Sequence, residues 1–155
     1  MAAIKDAGRV FDQVQKDILF NLAKSLVRIG AAVELDIAKE TPVDTGRAQA
    51  NWQMSGNKTD FRYFDPSPAG DAKRNRQGAA LQFVSSRNKS KTNSIIRSII
   101  KHKMLQPLYL GNATPYIHRL NSGYSSQQGA GWVERIANQA FARRSKEFLE
   151  VLKVV

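Results

Sequence analysis

Apolar residues recur every three or four positions through Phe11, Val14, Ile18, Leu22, Leu26, Ile29, Val33 and Ile37, which draws the stripe of an amphipathic α-helix. The spacing predicts one helix over residues 5–40, on the order of 50 Å long. Thr41-Pro42 ends it, because the residue before a proline is pushed out of the helical region. Asp12 and Lys16 add a favourable pair on the polar side. So long a helix in so short a chain is expected to project in part, or to lie against a neighbouring subunit. Gly30-Ala31-Ala32 either lets another backbone come close or is a glycine merely tolerated at about 1 kcal/mol.

Past Pro42 the period shortens. Residues 52–55 and 61–64 read as short strands with Gly56-Asn57 as the turn between them. Residues 65–71 read as a loop, and 72–78, basic and without an apolar anchor, as a mobile arm or hairpin tip. A further strand is expected at 80–85, a short helix at 93–103 with Ile95, Ile96, Ile99 and Ile100 on its apolar side, and a strand at 108–110. Trp132, Val133, Ile136, Ala137, Ala140, Phe141, Phe148, Leu149 and Leu152 mark a second amphipathic helix after Gly129-Ala130-Gly131. No repeat or linker divides the chain. Residues 1–155 are therefore expected to form a single α+β domain. A long helix (1–40) and a C-terminal helix (129–155) would pack on a small, mainly antiparallel sheet within 41–128, which also holds a basic loop at about 65–92.

Charge changes this picture. The net charge is +11, and it is unevenly spread. Residues 72–133 contain no Asp or Glu but hold Lys73, Arg74, Arg76, Arg87, Lys89, Lys91, Arg97, Lys101, Lys103 and Arg119. Such a segment suits either a polyanion or an acidic protein surface. Lys73, Arg74, Arg76, Arg87, Lys89 and Lys91 are the candidates to face DNA or a partner.

Composition excludes several chemistries. With no cysteine and only two histidines, neither a disulfide framework nor the usual metal ligands are available. No cofactor is expected. No apolar run is long enough to span a membrane, and the first residues lack the basic head and apolar core of a secretory signal. Synthesis in the cytoplasm is the expectation.

Two turns stand out. In Thr41-Pro42-Val43-Asp44-Thr45-Gly46-Arg47, Pro42 fixes the entry and Asp44 or Thr45 is placed to cap residues 46–51. Arg47 follows within reach of Asp44 or of a neighbouring chain. A lone Asp-Thr-Gly triplet, without a second copy or flanking apolar strands, does not make an aspartic protease. In the second turn, Pro115 ends a strand and Tyr116, Ile117 and Leu120 fold back onto the sheet. Gly123 then supplies the positive φ of a tight reversal. His118 and His102 have no partner carboxylate nearby in sequence, so neither suggests a base or a ligand.

The two turns, in this order and about sixty residues apart, resemble the neck or tail-completion proteins of long-tailed bacteriophages. The likeness runs through Thr41 to Arg47 with Ala50-Asn51-Trp52, then Leu110-Gly111-Asn112-Ala113-Thr114-Pro115-Tyr116. It continues in Asn121-Ser122-Gly123-Tyr124 and Gly131-Trp132-Val133. His118-Arg119-Leu120-Asn121 departs from relatives that carry an acidic residue there, so a subunit salt bridge at that place would be absent or reversed. The resemblance implies a structural virion protein without enzymatic activity. It implies a ring of identical copies, hexamer favoured and dodecamer possible, between the head-closure or connector protein and the tail terminator or tail tube. Genomic DNA would pass through the lumen without sequence readout. Pro42, Asp44, Thr45, Gly46, Arg47, Trp52, Pro115, Tyr116 and Gly123 become the candidate subunit interface. Trp52→Ala or Gly46→Val would then block the joining of heads to tails. A small basic nucleic-acid-binding protein is the alternative, motivated by the acid-free segment.

Overall fold

The structure, a computed structural model, describes residues 2–43, 46–64 and 76–152. Side chains at 2–5, 76–77 and 147–152 lie outside that description. The fold is α+β. Helix α1 (Ala2–Glu40) is followed by the single turn α2 (Arg47–Ala50), strand β1 (Trp52–Ser55), helix α3 (Arg76–His102) and strand β2 (Tyr109–Asn112). A short α4 (Ile117–Asn121) then leads into α5 (Trp132–Leu152). β1 and β2 form an antiparallel pair in which Trp52 opposes Asn112 and Met54 opposes Leu110.

The core lies between the inner half of α1, α3, α5 and β1. Val33, Ile37, Trp52, Val84, Ile117 and Trp132 make one apolar cluster, and Ala23, Val27, Met54, Ile95 and Ile99 make the other. All four residues of β1 are buried, so this short strand behaves as a core element rather than as one side of an open sheet. Gly30 is a close approach and not a tolerated defect. A Cβ there would lie 2.7 Å from Met54 Sδ and 3.1 Å from Leu108 Cδ1. The neighbour admitted is a pair of side chains, not a backbone. Gly30→Val is expected to cost about 2 kcal/mol by overpacking, read as a lower urea midpoint; an unchanged midpoint would contradict the contact.

Four sequence expectations change. Residues 61–64 form no ladder, yet they run extended beside β1 because two side-chain amides take the ladder's place. Asn51 Nδ2 donates to Phe64 O at 2.6 Å while Phe64 N donates to Asn51 Oδ1 at 2.7 Å. Gln53 repeats this with the Arg62 carbonyl and amide at 2.6 and 3.3 Å. The expected strand at 80–85 and the short helix at 93–103 are both parts of the continuous α3. Most of the basic loop at about 65–92 is likewise helical, since α3 begins at Arg76. The loop at 65–71 and residues 72–75 of the expected arm lie outside the described residues. Just past the end of α3, Lys103 has a φ of 52° that sets the left-handed close. There Met104 N donates back to Ile99 O, a Schellman-type stop without glycine.

Candidate assembly interface

The first turn grows out of the end of α1. Thr41 Oγ1 donates to Ile37 O at 2.8 Å and accepts from Trp52 Nε1 at 2.8 Å. One buried hydroxyl thus satisfies a helix-end carbonyl and an indole N–H. Pro42 is buried behind it. Asp44 and Thr45 lie outside the described residues. The residue that caps α2 is Gly46, in the left-handed region at φ 76°, with no side-chain cap bond. A β-carbon at Gly46 would strain this backbone conformation. Arg47 is exposed, while Ala48, Gln49 and Ala50 are buried, with Gln49 Nε2 donating to Ala38 O at 2.9 Å.

The second turn is anchored on the first. Asn112 Nδ2 donates to Ala48 O at 2.7 Å, and Asn112 Oδ1 accepts from Thr114 N at 2.9 Å. Pro115 and Tyr116 are exposed after it, and Ile117 enters the core at the head of α4. The expected fold-back onto the sheet therefore takes the form of this short helix. Gly123 has φ 88°, and a Cβ on it would meet Ala130 N at 3.2 Å. Asn121 joins α4 to α5. Its carbonyl accepts from Gly131 N, its Oδ1 accepts from Val133 N at 3.0 Å, and its Nδ2 reaches both Glu134 oxygens. That amide donation is the main force holding the Glu134 carboxyl below its ordinary range.

Gln127 closes the arrangement, its Oε1 accepting from Val43 N at 3.0 Å and its Nε2 donating to Val43 O at 3.2 Å. The two turns thereby line one open cleft of about 440 Å³, with Pro42, Gly46 and Arg47 on one side and Tyr116, Leu120, Tyr124 and Gln127 on the other. Tyr124 carries the Arg119 guanidinium 5.0 Å over its ring. The structure thus brings together Pro42, Gly46, Arg47 and Tyr116 at the cleft, with Pro115 and Gly123 in the loops that form its far side.

Trp52 is not part of that surface. It is 3% exposed and packs edge-on to Trp132 with ring centroids 6.3 Å apart. It holds the fold together and cannot present its ring to another chain. Trp52→Ala would therefore act on the core, not on a joint between particles.

The basic candidates separate in the same way. Lys73 and Arg74 lie outside the described residues, and Arg76 is described only as the first residue of α3. Lys89 is exposed and Lys91 half-buried. Arg87 points inward. It donates to Ala50 O at 3.2 Å and to Trp52 O, stands 5.2 Å from the centroids of both Phe64 and Phe83, and lies 3.5 Å from the Glu34 carboxylate. Glu34 is fully buried. Burial pushes its carboxyl up to about 7, against the pull of Arg87 and, more weakly, of Asn88, Lys91 and the Met54 amide.

Glu34 escaped the sequence reading because it lies off the large apolar stripe. Its signal was present: Ala23, Val27, Gly30, Glu34 and Ala38 make a second, small-residue stripe at helical spacing. A lone carboxylate on such a stripe calls for a buried cation. Arg97 and Lys101 are exposed on α3 in four-residue steps from Asn93 and Lys89, so the outward charge of this helix is a single rail.

Among the described residues, no group of His, Asp and Glu could hold a metal ion, and no helix is long and apolar enough to cross a membrane. No family profile, curated protein or solved structure matches this chain at a significant level.

Proposed function

We propose that this chain is a structural virion protein of the neck of a long-tailed bacteriophage. In this reading identical copies close into a ring, six favoured and twelve the other option, which completes the tail end and joins it to the head. The head-closure or connector protein lies on one side and the tail terminator or tail tube protein on the other. Genomic DNA passes through the lumen without being read. The protein is made in the host cytoplasm and acts without catalysis, cofactor or membrane.

One observation supports this reading above the others. The two turns that carry the resemblance, far apart in sequence, share one cleft edged by the exposed aromatic rings of Tyr116 and Tyr124. Exposed tyrosines around a rigid, hydrogen-bonded cleft suit recognition of another protein surface. The pair Tyr116→Ala and Tyr124→Ala is expected to leave the circular dichroism unchanged. It should lower infectious titre at least about tenfold, as losing an aromatic anchor worth about 2 kcal/mol would do, with filled heads and separate tails accumulating. Joined particles at normal titre, or absence of the protein from mature particles, would rule the proposal out.

The rail of Lys89, Arg97 and Lys101 favours a second reading, a small nucleic-acid-binding protein. It predicts duplex binding whose log–log salt slope is about −3 for three phosphate contacts. Changing all three to Gln should abolish that slope; undetectable duplex binding at low salt would count against the reading.

A further inference from the structure

Among the described residues, nothing packs against the outer half of α1. Every residue from 6 to 18 is exposed, and α1 joins the core only at Leu19 and Ala23. On this arm Val10, Phe11 and Val14 are 62%, 74% and 49% exposed, and with Ile18 they fall on one side of the helix. The steps 11, 14 and 18 alternate three and four residues, the spacing of a helix–helix seam. Charged residues keep off its centre. Arg9, Asp12 and Lys16 project from the far side, and Asp17, which accepts from Gln13 Nε2 at 3.0 Å, only borders the stripe. A free helix of this length is marginal in water, and four adjoining large apolar side chains are more than a solvated face requires.

We propose that the stripe is covered by the same stripe of a second copy, arm against arm. Charge separates this occupant from the others. Between residues 6 and 18 there are three acids, Asp6, Asp12 and Asp17, against two bases, Arg9 and Lys16, in a chain whose net charge is +11. A nucleic acid or an anionic membrane is drawn to the cationic parts of the chain and not to this arm. Two bodies this basic repel each other, and the near-neutral arm is where that repulsion is weakest. To its own copy the stripe offers equal length, equal spacing and an uncharged centre, the self-complementarity that an isologous contact needs. The inference rests on the arm alone and does not depend on the neck reading.

The chain has no cysteine, which makes cross-linking clean. Full-length Phe11→Cys and Val14→Cys are prepared singly and oxidised alone and mixed. Parallel arms place like positions within disulfide reach, so each variant alone gives covalent dimer. Antiparallel arms centred between residues 11 and 14 give it only in the mixture, and arms centred on either position give it for that variant alone. Lys16→Cys, on the far side, should give at least about tenfold less. In sedimentation at tens of micromolar the unmodified chain is expected to associate. The double variant Phe11→Asp with Val14→Asp should sediment as monomer, with unchanged tryptophan fluorescence because Trp52 and Trp132 report only on the core. A monomeric unmodified chain, or association that survives the double variant, overturns the proposal. So does association without any cross-link, since the arm would then meet another part of the copy.

Discussion

Arg87→Ala is expected to lower the stability of the folded chain by about 3–5 kcal/mol at pH 8, a large fraction of an ordinary domain's stability. Three losses coincide. The Glu34 carboxylate, fully buried, is left without its cation. The Ala50 and Trp52 carbonyls lose their donor. Phe64 and Phe83 lose the guanidinium between them. Arg87→Lys should recover only part of this, because a point charge cannot serve two carbonyls and two ring faces at once. Adding Glu34→Gln to Arg87→Ala should restore stability measurably, since the unpaired charge dominates the loss. Urea unfolding of the four proteins decides it. If Arg87→Ala loses less than about 1 kcal/mol, the residue is a surface cation after all.

That inward turn of Arg87 shows where the sequence stopped being informative. The long helix was legible because large apolar residues mark every turn of its inner half, and α5 for the same reason. The first half of α3 was not, because what it buries in its first turns is Ala80, Val84 and Asn88, too small and too polar to draw a stripe; only its second half, from residue 93, reads as a helix. A helix that presents so little apolar surface reads as a solvated basic loop. Residues 61–64 looked like a strand because they are extended and aromatic. What holds them is side-chain amides from Asn51 and Gln53, a pattern with no period. Trp52 was misplaced for a related reason: an aromatic after a turn suits an interface or a core equally well until its partner, here Trp132, is known.

The candidate cleft shows the same divide. Each turn was legible by itself, through Pro42, Pro115 and Gly123. That they meet follows from Trp52 pairing with Asn112 across β1 and β2, and from Asn112 and Gln127 bonding back to Ala48 and Val43. Contacts this distant in sequence leave no local trace. The apolar positions of the outer arm, by contrast, were fully visible. That part of the helix would project followed from its length; which part was hidden, because one stripe of constant spacing runs from buried core into open water.

Stability is expected to fall by about 3 kcal/mol as pH rises from 4.5 to about 7, and Glu34 is the cause. Its carboxyl is raised from 4.5 to about 7 by burial, against the opposing pull of Arg87. Within this window the folded chain holds a proton that the unfolded chain has released, so each step up in pH favours unfolding. Above about 7 both states are ionised and the dependence ends. Glu134 works the other way: its carboxyl is lowered, so its contribution is lost only as pH falls below the ordinary carboxylate range, outside this window. Glu34→Gln should flatten the curve between pH 5 and 7.5 and unfold no more easily than the parent at pH 8. The charge it removes is one that the Arg87 guanidinium, itself hydrogen-bonded to two carbonyls, does not fully compensate. Denaturant midpoints measured across the window test this directly. A parent curve that rises with pH would mean that the ion pair outweighs the desolvation of its carboxylate, and the account of Glu34 would have to be reversed.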